Sequence, residues 1–211
     1  SYHAIGKQKL KRGGMFYTAQ SGIWQTVWME IVPEDYIRDV RSVPDFDNSQ
    51  IRLRVRTTTA SNPVTCRIYP PVILDEDGLN EKLCKNEIVT AVLRSGKEAI
   101  LSIPEKEHKP WTPKEPWLYP YALEYDKDRI LGYFALRKCD VQTAADGYPR
   151  FFLNNQPYFQ NGVLDQGYWP DGLYTAPSDE ALIYDIRTMK DLGFNMLRKH
   201  GKIETDRWYF H

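Results

Sequence analysis

Polar and aromatic side chains follow two predicted strands in the C-terminal third of the chain. Asp165, Gln166 and Trp169 come after the first strand, and Arg198 and His200 end the second. Carboxylates and amides bind sugar hydroxyls, and aromatic planes stack on the C–H faces of sugar rings, a mixture typical of small-molecule sites. Because the chain has 14 Tyr and 6 Trp, many of them in loops beside Pro and Gly, carbohydrate binding is one hypothesis. The alternative is that Asp165 caps a loop and Trp169 packs beneath it.

The segment that positions these residues is predicted to form a strand, a loop, a helix and a second strand. Tyr158–Leu164 is apolar and rich in aromatic and β-branched residues, which is typical of a buried strand. Ser178 is a suitable N-cap, and Gly193 supplies the left-handed residue that ends a helix. Phe194–Leu197 then resumes a strand. Strands joined by a crossover helix are expected to be parallel, so this is a βαβ unit.

One βαβ unit cannot cover both faces of a parallel sheet. We therefore expect it to open a larger α/β domain that continues beyond His211, with the next helix starting at Arg207–Phe210. The chain is then expected to be a fragment. Its uncovered sheet edge and apolar helix face should be covered by rearrangement or by a homo-oligomer.

The overall composition is that of an ordinary globular protein. Of the 211 residues, 42% are hydrophobic and 27% are charged, and Lys plus Arg equals Asp plus Glu at 28 each. Zero net charge gives no support for a nucleic-acid or membrane partner, and no apolar run is long enough to span a bilayer. The basic stretch Ser1–Gly14 is interpreted as a solvated loop or strand edge. The three cysteines and four histidines lack metal-ligand spacing, so no metal or other cofactor is predicted.

Short strands separated by turn residues dominate the middle of the chain. Ile51–Thr57 alternates most clearly, with Ile51, Leu53 and Val55 predicted to face inward. Further strands are predicted at Tyr36–Val43, Val64–Tyr69, Ile88–Leu93, Ala99–Ile103, Leu118–Tyr125 and Ile130–Lys138. This spacing indicates an antiparallel β-sandwich of immunoglobulin-like size, with most of the 14 Tyr and 6 Trp filling apolar cores.

Further elements flank the sandwich. Ile23–Val32 alternates in part and is rich in Trp and β-branched residues, so it is predicted to be a strand. Asp146-Gly147 is predicted to form a turn, and Asn154-Asn155 a hairpin turn before the βαβ unit. The expected fold class is mostly β: an immunoglobulin-like antiparallel sandwich followed by the start of an α/β domain.

Several motifs, in order along the chain, resemble glycoside hydrolase family 2, which includes β-galactosidases, β-glucuronidases and β-mannosidases. SGIWQTVWMEIVPE at Ser21–Glu34 resembles the end of that family's sugar-binding jelly roll. WTPKEPWLY at Trp111–Tyr119 and GYFALRK at Gly132–Lys138 are similar to the end of its immunoglobulin-like domain. The stretch from Phe151 to His200 is similar to the start of its catalytic (β/α)₈ barrel. The resemblance covers nearly the whole chain.

The resemblance implies three parts: terminal jelly-roll strands at 1–33, the sandwich at 34–139, and the opening βαβ unit of a truncated (β/α)₈ barrel at 140–211. It also implies retaining hydrolysis by two glutamates about 5 Å apart. Both would lie on barrel strands beyond His211, so no catalytic residue is assigned in this chain. Glu204 is interpreted as an exposed glutamate at a helix entry rather than as a catalytic group.

The resemblance also implies roles for the residues at the strand ends. Arg198 matches the arginine that orients the nucleophile. Asp165, Gln166, Trp169 and His200 would line the sugar pocket, with Trp169 as a stacking plane and Asp165 as an acceptor for hydroxyls. His200 departs from the family pattern, because only Lys199 separates it from Arg198.

The expected parent is a bacterial exo-β-glycosidase resembling β-galactosidase, periplasmic or secreted, with a carbohydrate as its substrate. The chain by itself is expected to be inactive, because both glutamates would be missing. Two other classes remain as alternatives: a non-catalytic carbohydrate-binding module and a structural spacer. Tryptophans exposed together on one face would favour the binding module over the spacer.

Overall fold

A computed structural model of the chain describes residues 5–75 and 78–210. Within them the strands and helices, in chain order, are β1 (Gln8–Lys9), β2 (Tyr17–Thr18), β3 (Ile37–Asp45), β4 (Gln50–Thr57), β5 (Val64–Ile68), β6 (Val89–Leu93), β7 (Glu98–Ser102), β8 (Tyr119–Tyr125), β9 (Asp128–Phe134), β10 (Cys139–Thr143), β11 (Pro149–Leu153), β12 (Gln156–Pro157), β13 (Gly162–Asp165), α1 (Asp179–Asp191), β14 (Met196–Lys199) and α2 (Asp206–Phe210). Short 3₁₀ turns lie at Glu81–Leu83 and Glu105–Glu107. Strands predominate, as predicted. No helix in the described ranges has the length and apolar character needed to cross a membrane.

The chain divides into two compact units. One is the continuous stretch Glu30–Tyr158, and the other joins Ser1–Met29 to Phe159–His211. The second unit is therefore discontinuous, and only long-range contacts can assemble it. We refer to the two as the continuous unit and the discontinuous unit.

The continuous unit is an antiparallel β-sandwich. One sheet has the order β3–β4–β7, and the other has the order β6–β5–β8–β9. Buried side chains from both sheets form a single core that includes Leu53 of β4, Ile68 of β5 and Leu123 of β8. This architecture agrees with the predicted sandwich.

Strand β4 shows how the alternating sequence builds this core. Ile51, Leu53 and Val55 are buried, whereas Arg52 and Arg56 are exposed. Successive side chains of a strand point to opposite faces, so one face packs and the other is solvated. Strand β4 pairs with β3 on one side and β7 on the other, so its backbone groups are bonded on both edges.

Tyr119, the first residue of β8, ties a long connection to the sandwich. Its side chain is fully buried and stacks on Phe134, with ring centroids 5.0 Å apart. The hydroxyl donates to the Glu107 carbonyl (2.7 Å) and accepts from the Lys109 N–H (2.7 Å). Burial raises the pKa of Tyr119 to about 12.

A small sheet of β10, β11 and β12 completes the continuous unit. Gly147 has φ +83° in the turn before β11, and Asn154 and Asn155 have φ +52° and +63° between β11 and β12. Positive φ at both central residues is the requirement of the tight hairpin turn that an Asn pair favours. Both predicted turns are confirmed. The Asn154 side chain also donates to the Trp111 carbonyl (2.9 Å), which fixes the turn.

The discontinuous unit contains the predicted βαβ unit, in which β13 and β14 are parallel and α1 crosses between them. The Ser178 side chain accepts from the Ala181 N–H (3.3 Å), and Gly193 has φ +89° after the helix, so both predicted helix limits are confirmed. Strand β13 begins later than predicted, at Gly162. The preceding Asn161 N–H bonds instead to the Asn195 side chain (2.8 Å).

The strand predicted at Ile23–Val32 is wrong. This stretch is irregular, and Ile23, Val27 and Ile31 are all exposed. A strand requires a partner for its backbone hydrogen bonds, and within residues 5–75 and 78–210 no strand pairs with this stretch. Before this stretch, the described pairing consists of the short parallel contact of β1 with β2 and an isolated antiparallel bridge between Gly13 and Phe16.

Candidate functional site

The carboxyl ends of β13 and β14 bring two charged side chains together. Asp165 and Lys199 are direct partners in the parallel register. The Lys199 Nζ lies 2.6 Å from Asp165 Oδ2, although the two residues are 34 positions apart in sequence. Parallel strands place their carboxyl ends at the same edge of a sheet, which explains the encounter.

The Asp165 carboxylate is engaged on both oxygens. Oδ2 accepts from Lys199, and Oδ1 accepts from the Gly167 N–H (2.9 Å). The Asp165 carbonyl also accepts from the His200 N–H (2.8 Å). This geometry agrees with the alternative in which Asp165 caps a loop.

Lys199 also belongs to a buried ionic cluster, defined here as Asp165, Lys199, Lys202 and Glu204. Lys199 Nζ and Lys202 Nζ lie 3.1 Å and 3.0 Å from Glu204 Oε2. The side chains of Lys199, Lys202 and Glu204 are 5%, 0% and 2% exposed. The interpretation of Glu204 as an exposed residue is therefore wrong. A carboxylate can be buried here because two ammonium groups compensate its charge.

Lys202 links the loop after β13 to the segment after β14. Its Nζ donates to the carbonyls of Gly167 (2.8 Å) and Tyr174 (2.6 Å), and it lies 4.8 Å from the Trp24 ring centroid. Burial lowers the pKa of Lys202, and the adjacent Glu204 acts in the opposite direction. The lysine therefore satisfies buried carbonyls that would otherwise lack a donor.

Gly167 leaves the space that the ionic cluster occupies. Its φ is +61°, and a Cβ at this position would lie 2.8 Å from Glu204 Oε2 and 2.9 Å from Lys199 Nζ. Both the left-handed backbone and the close charges exclude a side chain. Glycine is thus required in the turn that follows Asp165.

The other predicted site residues lie in the loop after β13, in β14 and directly after β14. Gln166 accepts from the Tyr17 hydroxyl at 3.1 Å, and Trp169 lies further along the same loop. Arg198 is exposed and, by strand alternation, lies on the opposite face of β14 from buried Lys199. His200 is half-buried just after β14. Asp165, Gln166 and Trp169 are therefore on one loop, and Arg198 is on a separate surface.

A groove of about 320 Å³ lies along this loop. Four lining residues come from the loop itself: Tyr168, Trp169, Pro170 and Leu173. Four come from the N-terminal segment: Arg12, Phe16, Tyr17 and Thr18. The two segments are joined by the stacked rings of Tyr17 and Tyr168, whose centroids lie 3.6 Å apart at 6° between planes. We call this the aromatic groove.

Tyr168 lies at the centre of a chain of rings. Its ring centroid is 4.9 Å from that of Tyr174, which in turn lies 5.2 Å from Trp24. Burial and the neighbouring Tyr174 hydroxyl raise the pKa of Tyr168, so its phenol is neutral at physiological pH. The groove therefore presents neutral aromatic surface beside the positive charge of Arg12.

The sequence patterns did not point to Lys199 or Lys202, Glu204 was expected at the surface, and the N-terminal contribution to the groove was missed. The period-two alternation of β14 was a usable signal for Lys199, since it places Lys199 opposite Arg198. No local signal links Tyr17 to Tyr168, because they are far apart in sequence and meet only in the folded unit.

The arrangement is suited to binding. The carboxylates of Asp165 and Glu204 both form ion pairs with Lys199, and only Asp165 accepts a hydrogen bond from it. Over the parts of the chain that the structure describes, no group of three or more His, Cys, Asp or Glu side chains could hold a metal. The aromatic groove offers stacking planes and the cation of Arg12, and the loop after β13 offers the amide of Gln166.

The curated proteins that resemble the chain in sequence are both β-galactosidases. No family model matches the chain. It is 24% identical over 188 residues to a β-galactosidase of Thermoanaerobacter pseudethanolicus, which covers 86% of this chain and 24% of that protein. It is 23% identical over 190 residues to a β-galactosidase of Lactococcus lactis, which covers 90% of this chain and 18% of that protein. The chain thus spans a quarter or less of the curated relatives it matches.

Solved structures share the fold. A β-glucuronidase of Faecalibacterium prausnitzii matches with a TM-score of 0.64 and 22% identity, over 84% of this chain and 26% of that one. The β-glucuronidase of Ruminococcus gnavus in complex with D-glucuronic acid matches with a TM-score of 0.64 and 18% identity, over 85% of this chain and 28% of that one. These sequence and structural relatives are glycoside hydrolases.

Proposed function

We propose that the chain is part of a retaining exo-β-glycosidase of glycoside hydrolase family 2, closest in character to β-galactosidase. The observation that carries this proposal is the loop at the carboxyl end of a parallel βαβ unit, where Gln166 and Trp169 meet an aromatic groove. Barrel enzymes build their sites from such loops. Similarity to curated β-galactosidases along 86% and 90% of the chain supports it.

In this proposal residues 140–211 open a (β/α)₈ barrel, residues 34–139 are its immunoglobulin-like neighbour, and residues 1–33 end a jelly roll. Trp169 and Gln166 contact the sugar, and His200 lies at the pocket edge. Arg198, which is exposed, orients a nucleophile supplied by the rest of the parent protein. Asp165 holds the loop in place through Lys199 and Gly167.

Hydrolysis of a panel of p-nitrophenyl β-glycosides tests this proposal. The panel is run in parallel on the 211-residue chain and on the product of the complete reading frame that encodes it. We expect turnover only by the complete product, because the proposed nucleophile and acid are two glutamates outside the chain. Turnover by the chain alone would refute the assignment of catalysis to missing residues, and an inactive complete product would refute the glycosidase.

A second function, a non-catalytic carbohydrate-binding module, is favoured by one observation, the aromatic groove. The glycoside panel distinguishes this function from the glycosidase, because a binding module would bind the sugars of the panel without hydrolysing them. A structural spacer would do neither.

A further inference from the structure

We infer that the aromatic groove binds a planar aromatic group, and that in the proposed glycosidase this group is the aglycone, the part of the substrate that leaves the sugar. Naming it the aglycone rests on the proposed function, whereas the preference for an aromatic ring rests on the groove alone. The N-terminal segment thereby gains a binding role beside the ends of β13 and β14.

Flat ring surfaces dominate the lining of the groove. Half of its eight described lining residues are aromatic, namely Phe16, Tyr17, Tyr168 and Trp169. Tyr17 and Tyr168 stack face to face, with centroids 3.6 Å apart and 6° between planes, so they form one rigid wall. The volume of about 320 Å³ lies at the lower end of the range for small-molecule sites, roughly 300–1,000 Å³, which suits a compact ligand such as a pair of fused rings.

The polar tips of these rings are occupied or inaccessible. Tyr168 Oη and Trp169 Nε1 are buried, and neither has a hydrogen-bond partner within the described part of the chain. The Tyr17 hydroxyl donates to the Gln166 side chain at 3.1 Å. Tyr17, Tyr168 and Trp169 therefore present ring carbon, rather than polar atoms, to a ligand in the groove.

This lining suits an aromatic ring better than a sugar ring. A pyranose carries hydroxyls around its edge, and the other polar side chains of the described lining are those of Thr18 and Arg12. A hydroxyl that is buried without a partner lowers affinity, because it loses its hydrogen bonds to water. An aromatic ring has two carbon faces and gains attraction by stacking on other rings.

Arg12 favours an aromatic group over a saturated one. It is exposed, and it is the one charged residue in the described lining. A guanidinium is planar and is attracted to the face of an aromatic ring, whereas a saturated ring offers a cation no such attraction. The groove thus combines stacking rings with a cation that can lie over the ligand.

Tyr17 joins the groove to the position proposed for the sugar. Its ring lines the groove, and its hydroxyl bonds to Gln166, which is proposed to contact the sugar. Trp169 belongs to both places. A glycoside with an aromatic aglycone can therefore place its sugar at Gln166 and its ring in the groove.

Binding to the 211-residue chain tests the inference without any need for turnover. We would titrate 2-naphthol by NMR, following the backbone amides of Thr18 and Leu173, which line the groove. The comparison ligands are methyl β-D-galactoside and decahydro-2-naphthol, which has the same skeleton and hydroxyl without aromaticity. Phe16→Leu removes a lining ring but keeps an apolar side chain. Phe159→Leu is the matched control, because Phe159 is 83% exposed and lies outside the groove lining.

We expect 2-naphthol to bind, with both comparison ligands at least about threefold weaker. Phe16→Leu should weaken the binding of 2-naphthol by about three- to tenfold, and Phe159→Leu should leave it unchanged. Equal or tighter binding of either comparison ligand, an unchanged affinity in Phe16→Leu, or no binding of 2-naphthol would overturn the inference.

The binding and hydrolysis experiments fail in different ways. Binding of 2-naphthol together with an inactive complete product would keep the aromatic site and remove its role as an aglycone site. Hydrolysis by the complete product without binding of 2-naphthol would keep the glycosidase and refute the aromatic site.

Discussion

At the scale of single residues, Lys199 is a buried cation that contacts two carboxylates and an aromatic ring. Its ammonium group lies within 2.6 Å of Asp165 and 3.1 Å of Glu204, and its side chain is 5% exposed. The ring of Trp208 adds a cation–π contact at 4.4 Å. A buried charge pair gives little net stability compared with apolar packing, but loss of one partner leaves the other charge buried alone.

We therefore expect Lys199→Met to destabilise the discontinuous unit by about 3 kcal/mol, since Glu204 would lose one of its two lysines and Asp165 would lose the one lysine that pairs with it in the described part of the chain. Urea unfolding monitored by tryptophan fluorescence measures the change. Lys11→Met removes an exposed lysine of the same unit and serves as the control. Equal stabilities for the two variants would show that the ionic cluster contributes nothing.

At the scale of elements, strand β8 contributes several buried side chains to the core of the sandwich. Tyr119, Leu123 and Tyr125 are fully buried, and Tyr121 is nearly so. Burial raises the pKa of Tyr121 to about 12, as it does that of Tyr119. In both cases the folded state retains the phenol proton at a pH where the unfolded chain, with a pKa of about 10, loses it.

The stability of the sandwich should therefore be constant below about pH 10 with respect to these two groups, and it should fall as the pH rises toward about 12. Tyr119→Phe should reduce that fall. It should also cost about 1–3 kcal/mol at neutral pH, because the Glu107 carbonyl and the Lys109 N–H lose their partner. Thermal unfolding followed by circular dichroism at a series of pH values gives both quantities.

The control for this element is Tyr148→Phe, since Tyr148 is 67% exposed in the turn before β11. It should leave the neutral stability and the alkaline fall unchanged. A neutral-pH stability for Tyr119→Phe that matches this control would contradict the anchoring role of the Tyr119 hydroxyl.

At the scale of the whole molecule, the chain carries large apolar side chains on its surface. Val27 is 74% exposed, Met29 is 88% exposed and Ile31 is 95% exposed, all within the stretch predicted to be a strand. Exposed apolar groups this close together promote association. We propose that the chain alone forms a homo-oligomer through this stretch.

Size-exclusion chromatography with light scattering tests this proposal. We expect the mass of the chain to rise with concentration, and the double variant Val27→Lys, Ile31→Lys to lower it toward the monomer. Because both side chains are exposed, this variant should keep the fold. A concentration-independent monomer in the unmodified chain would refute association.

The local elements follow from short sequence patterns. Alternation placed Ile51, Leu53 and Val55 in the core, and the Asn154-Asn155 pair and Ser178 set a hairpin turn and a helix start. These features depend on the side-chain period of a strand and on the backbone preferences of one or two residues, both of which are local. The parallel pairing of β13 with β14 followed from the crossover helix between them.

The contacts of the residues at the strand ends depend on the tertiary fold. It showed that Lys199 pairs with Asp165, that Glu204 is buried between two lysines, and that Tyr17 stacks on Tyr168. It also showed that residues 23–32 form no strand, although their composition favours one. Each of these outcomes depends on which segments, distant in sequence, lie next to the residue in the folded chain. A pairing partner and the solvation of a charge are set by long-range contacts, and local sequence patterns do not encode them.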